Sequence, residues 1–224
     1  YQLEKCFVNW ARSISDIPED KIVSVDGKTI CGSRDDNYIV IHMVSAWANK
    51  TGIVLGQQRV DEKSNEIPAV PQLLDLIDVQ NYTITSDAMS CQKKTVQKIR
   101  EKNCNYVICL KGNQETLHDD VKLYFETAEK EPGFYPLSKT STLGKGHGRI
   151  EKREYFLTTD VEWIENRDEW AGLNAIGMAR STRIVDETES VEDRYFITLL
   201  TDVQMFSEAA RKHWGIENNL HILM

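Results

Sequence analysis

The sequence predicts an α/β fold: a mixed β-sheet with flanking helices and an inserted β subdomain before the last helix. Three features of the 224 residues carry this prediction. β-Rich runs joined by short turns come first, helices and strands then alternate, and further β-rich runs precede a closing helix.

Leu3, Phe7, Trp10 and Ile14 recur at helical spacing in a chain that opens at Tyr1, and predict the end of a preceding helical domain over 1–18. Ile22 to Val25, Tyr38 to Trp47 and Ile53 to Val60 read as strands, separated by turn-prone Asp35-Asp36-Asn37 and Asn49-Lys50-Thr51-Gly52. Connections this short favour an antiparallel meander, because parallel neighbours need long crossovers. A helix with Leu73, Leu74 and Ile77 on its apolar face comes next, then strand Tyr82 to Ser86, helix Gln92 to Lys102, strand Tyr106 to Leu110 and helix Asn113 to Glu129. Such alternation implies parallel strands with right-handed crossovers, and closes a core over 19–130. Pro132, Gly133, Pro136 and a Gly144 to Gly148 loop break the pattern. Arg149 to Leu157, Leu173 to Val185 and Arg194 to Leu200 are the three strands expected in a β-rich insertion over 131–201. Asp202 is placed to cap a final helix within 202–224.

A content of 41% hydrophobic and 28% charged residues is ordinary for a soluble globular protein. No apolar run approaches the roughly 20 residues of a membrane span, and a cytoplasmic location is expected. Five scattered cysteines (Cys6, Cys31, Cys91, Cys104, Cys109) without a Cys-x-x-Cys pair indicate neither a disulfide framework nor a zinc site. The net charge of 27 − 35 = −8 argues against non-specific nucleic-acid binding, yet the balance is uneven. Lys139, Lys145, Arg149, Lys152 and Arg153 stand in one stretch against Glu151 alone, whereas Asp186 to Asp193 holds five acids and no base.

Three acids draw the chemistry together. Asp26 and Asp87 each end a β-rich run, and Glu217 sits on the final helix. If the first and fourth strands pair and the last helix packs back, the three form a carboxylate cluster of hard oxygen donors suited to Mg²⁺. Taken singly each has a plainer explanation: Asp26-Gly27 is a common turn dipeptide, and Asp87 can cap the helix after it. His213, Glu217 and His221, spaced four apart, could also be read as a zinc face, but no other ligand cluster supports it. The five tryptophans read as packing residues.

Five ordered segments resemble the motifs of bacterial insertion-sequence transposases of the Asp-Asp-Glu type, and most of all their H-repeat-associated branch. They are Val23-Ser24-Val25-Asp26-Gly27-Lys28, Ser86-Asp87-Ala88-Met89 with Cys91-Gln92, Leu110-Lys111-Gly112-Asn113-Gln114, His147-Gly148-Arg149-Ile150-Glu151, and His213-Trp214-Gly215-Ile216-Glu217-Asn218. The resemblance implies a ribonuclease-H-like core and makes Asp26, Asp87 and Glu217 the catalytic and metal-binding triad, with Mg²⁺, or Mn²⁺ as substitute. It implies double-stranded DNA as partner, at element ends and target, with a homodimer in the DNA complex. It also makes the loop carrying Lys145, His147 and Arg149, with Arg153 beyond it, a DNA contact; Lys111 at a strand-to-helix junction and Arg211 on the last helix are further DNA-binding candidates. A broader group of relatives has a Tyr-x-x-Arg-x-x-x-Glu-x-x-x-x-x-x-Lys pattern, and here His213 and Met224 stand at its arginine and lysine positions. Two other functions stay open on these residues: a non-catalytic DNA-binding remnant, and a ribonuclease-H-like nuclease unrelated to transposition.

Overall fold

The computed structural model describes residues 21–29, 42–60, 66–146, 149–186 and 188–216. Glu217, His147, His221 and the amphipathic segment over 1–18 lie outside the described residues.

The sequence begins as expected with a meander. Strand β1 (Ile22–Thr29) pairs antiparallel with β2 (His42–Ala48), which pairs antiparallel with β3 (Ile53–Val60). Helix α1 (Glu66–Leu76) then carries the chain to β4 (Thr83–Ser86), parallel to β1. Helix α2 (Lys93–Glu101) leads to β5 (Asn105–Leu110), parallel to β4. The α2 crossover joins parallel neighbours, whereas α1 carries the chain from β3 past β2 and β1 to the far side of β1. Helix α3 (Glu115–Lys130) closes this half.

The remaining strands differ from expectation in number and placement. Among the described residues there are four: β6 (Ser138–Gly146), β7 (Arg149–Thr158), β8 (Ala175–Val185) and β9 (Thr188–Thr198). Of the expected Gly144 to Gly148 loop, Gly144 to Gly146 are strand, and residues 147–148 lie outside the described residues. β9 pairs antiparallel with β5, and one nine-stranded sheet results, in the order β3-β2-β1-β4-β5-β9-β8-β7-β6. The ribonuclease-H-like mixed sheet is therefore present, and the late strands continue it.

Alternation of side chains gives the sheet two unlike faces. Val23, Val25, Ile84, Tyr106 and Ile108 turn to the larger core, with Leu73 and Leu74 of α1, Val96 and Ile99 of α2, and Val121 and Phe125 of α3. Ile22, Val107, Tyr155 and Phe196 point the other way, and one helix covers them. This is α4 (Val203–Gly215), capped by Asp202, whose Oδ1 accepts from Met205 N at 2.8 Å. Among the described residues no helix is long and apolar enough to cross a membrane.

Candidate active site

Asp26 and Asp87 meet because of strand register. Parallel pairing of β1 and β4 runs through Ser24↔Thr85 and Val25↔Ser86, and each acid comes directly after its strand's last member of that ladder. Neighbouring strands lie about 4.8 Å apart, so the two half-buried acids stand next to each other at adjacent strands, just past the end of their shared ladder. Asp26 Oδ1 accepts from Gly27 N at 2.9 Å. Asp87 Oδ1 accepts from the amide N and hydroxyl Oγ of Ser90, both at 3.3 Å, and so caps the short turn Ala88–Ser90. The capping explanation for Asp87 is thus correct, and it fixes the carboxylate's orientation.

The residues two positions before each acid share its face and dock the last helix. Ser24 Oγ accepts from Asn49 Nδ2 at 2.8 Å and from Thr85 Oγ1 at 2.9 Å, and donates to the Lys212 carbonyl at 3.5 Å. Thr85 Oγ1 also lies 3.1 Å from His213 Nδ1. A hydroxyl has one hydrogen, and that of Thr85 goes to Ser24, so the His213 contact is one in which the ring N–H donates. The chain of bonds ties the last turn of α4 to both acid-bearing strands. Ile216 is fully buried beside Trp47 of β2. Replacing Thr85 with valine keeps its shape, removes both bonds at a buried position, and is expected to cost about 1–2 kcal/mol in urea unfolding.

Positive charge flanks the acids on one side. Lys111 comes directly after β5, is exposed, and makes no ion pair among the described residues. The β5–β9 ladder ends at Leu110↔Tyr195, so the next opposed pair is Lys111 and Arg194. Burial pushes the Cys109 thiol up, Lys111 and Arg194 draw it back, and Asp87 raises it again. Cys109 therefore marks the seam between acids and bases. Burial also pushes the Cys91 thiol up, with Cys109 and Asp87 adding to it, so these neighbours stay protonated and supply no thiolate ligand. The oxygen-rich donor set that remains at Asp26 and Asp87 fits a hard divalent cation.

The other basic candidates are spread out. Arg149 and Arg153 alternate onto the α4 face, and Arg211 Nη1 reaches Oγ1 of Thr142, the register partner of Arg153, at 3.5 Å. Lys145, opposite Ile150, alternates onto the other face. The basic stretch is also partly self-neutralised. Lys139 and Lys152 pair with Glu154 at 2.8 and 3.0 Å and hold its carboxyl below the usual range, while Arg153 pairs with Glu151 at 2.7 Å. Of the tryptophans, Trp47 and Trp170 are core residues, whereas Trp214 is half-exposed under the guanidinium of Arg194.

Residues 17–224 match the family model described as "Transposase DDE domain". The chain belongs to this transposase family. It is 40% identical over 229 residues to "Putative transposase YncI" of Escherichia coli O157:H7, covering 97% of this chain and 57% of that protein. It is 34% identical over 232 residues to "H repeat-associated putative transposase YhhI" of Escherichia coli (strain K12), covering 98% and 60% respectively. The chain thus spans about three fifths of the length of these transposase relatives. Among solved structures, the piggyBac transposase synaptic complex with hairpin DNA aligns with 88% of this chain and 39% of that one at a TM-score of 0.44 and 9% identity, a likeness too low to bear on site or function.

Proposed function

We propose that this chain is the catalytic part of a transposase that cleaves DNA strands at insertion-sequence ends and transfers them to a target. The supporting observation is that Asp26 and Asp87 each come directly after the Val25↔Ser86 pair, beside the Ser24↔Thr85 pair to which His213 fastens the last helix. Asp26 and Asp87, with Glu217 four residues after His213 in the sequence, would hold Mg²⁺ or Mn²⁺. When bound, that ion supplies charge neutralisation at the phosphate and a more acidic attacking water.

The remaining roles belong to side chains. In cleavage a water oxygen bonds to phosphorus, the bond from phosphorus to the 3′ oxygen breaks, and that oxygen leaves with a proton as a 3′-hydroxyl. In transfer this hydroxyl attacks a target phosphodiester in the same sense. Lys111 is placed to hold a backbone phosphate next to the acids, and Arg149, Arg153 and Arg211 to track the duplex along the α4 face; such contacts give affinity and orientation without reading sequence. The basic tip with Lys145 and His147 would reach further along the DNA or towards a second copy. The organisation proposed is a core over 19–130, a β-rich insertion over 131–201 and a final helical segment over 202–224.

The test is incubation of the chain with duplexes bearing its element ends and Mg²⁺. New 3′-hydroxyl ends that vanish with a chelator are expected. Binding without any metal-dependent nicking would instead favour a DNA-binding remnant, and cleavage confined to an RNA–DNA hybrid would favour a nuclease.

A further inference from the structure

Arg194 is a charged group built to stay in place with its binding edge open. Its guanidinium carbon lies 4.6 Å from the centroid of the Trp214 ring, its Nε donates to Glu192 Oε1 at 2.7 Å, and its Nη groups make no hydrogen bond among the described residues. The side chain is 33% exposed. A stacked and singly anchored guanidinium loses little rotamer freedom when it binds an anion, and its planar fork matches phosphate. Its position is equally specific. Strand alternation sets Arg194 on the face shared by Phe196 and α4, opposite Lys111 and two strand spacings, about 10 Å, from the Asp87 strand. Trp214 is the residue after His213, so the same turn of α4 that is fastened to Thr85 also carries the stacking surface for Arg194.

We infer that Arg194, stacked on Trp214, forms with Lys111 a phosphodiester-binding position beside the acid pair that holds the backbone phosphate flanking the reacting one. This inference rests on the proposed action on DNA. The position also links substrate to catalyst. The helix turn leading to Glu217 supports the arginine, so a phosphate bound there bears on the seating of that turn through Trp214.

The test is the salt dependence of binding to a mixed-sequence DNA duplex with a chelator present, so that no cleavage intervenes. Arg194→Met keeps an unbranched side chain against Trp214 and removes the charge. It is expected to melt with the wild type, to weaken binding about tenfold and to lower the slope of log affinity against log salt by about one. Arg194→Lys is expected to recover the slope while leaving part of the affinity loss, because it restores charge without the fork. Arg167→Met, which removes an arginine whose Nη1 is held by Glu162 at 3.0 Å and whose Nε donates to the Leu173 carbonyl at 3.2 Å, serves as control and is expected to leave the slope unchanged. Duplex binding by the wild type with an unaltered slope and affinity in Arg194→Met overturns this inference alone. Failure of the wild type to bind any duplex overturns it together with the proposed function.

Discussion

Asparagine at position 87 is expected to reduce metal-dependent cleavage on the order of a thousandfold while leaving the melting temperature almost unchanged. Asparagine caps a helical turn as well as aspartate does, so the bonds from the Ser90 amide and hydroxyl to Oδ1 survive the change. The change removes one unit of negative charge and one anionic oxygen donor, which a Mg²⁺ site needs and a cap does not. Asp87→Ala separates the two roles from the other direction: it should lose activity and also about 1 kcal/mol of stability through the missing cap. Asp26→Asn is expected to match Asp87→Asn in activity, because the bond that Asp26 Oδ1 accepts from Gly27 N likewise needs only a carbonyl oxygen. The measurements are a strand-cleavage assay and thermal melting on the same preparations. Cleavage that persists in either asparagine variant removes the acid pair from the chemistry; a large fall in melting temperature with lost cleavage assigns Asp87 to structure.

The sequence made the acids legible through a local rule and left their support obscure. Ile22 to Val25 and Tyr82 to Ser86 are runs whose ends can be read directly, and short turns oblige the first three strands to form a meander. The cap at Asp202 was equally visible. Ser24 and Thr85 were not singled out, although a small hydroxyl residue two positions before each acid must share its face. Strand β6 was missed for a physical reason. Ser138 to Gly146 forms the edge of the sheet with nearly every residue exposed, so no apolar alternation exists to betray it. Counting lysines and arginines along 139–153 overstated free positive charge, because cross-strand partners such as Lys139 and Glu154 become neighbours only on folding. Arg194 was missed because a single arginine at the start of a β-rich run carries no signal until the strand is paired with β5.

Phe206→Ala is expected to give the largest loss of stability among the single changes considered, about 3–5 kcal/mol in urea unfolding, and to weaken cleavage by releasing α4. The ring is fully buried and meets Phe196 and Tyr155 edge-on, with centroids 5.5 and 6.3 Å apart. Its seat depends on a missing side chain. A Cβ built on Gly177 of β8 would fall 2.4 Å from Phe206 Cζ and 2.7 Å from Cε2, so the helix lies against the sheet only because this position has no side chain. Gly177→Ala is therefore expected to cost about 1–3 kcal/mol by overpacking, and Gly177→Val more. The two sites share one space, so their effects should not add. The smaller side chain in Phe206→Leu makes room for the Gly177→Ala methyl, and the double variant should be more stable than the sum of the single losses predicts. Strict additivity would show that the helix rides over the sheet without this contact. The consequence reaches the acids through rigid connection. Phe206 and His213 are the two ends of one helix, the first seated on Gly177 and the second bonded to Thr85. Loosening the first end lets the helix pivot, and the last turn loses the fixed seat on Ser24 and Thr85, the residues two before each acid.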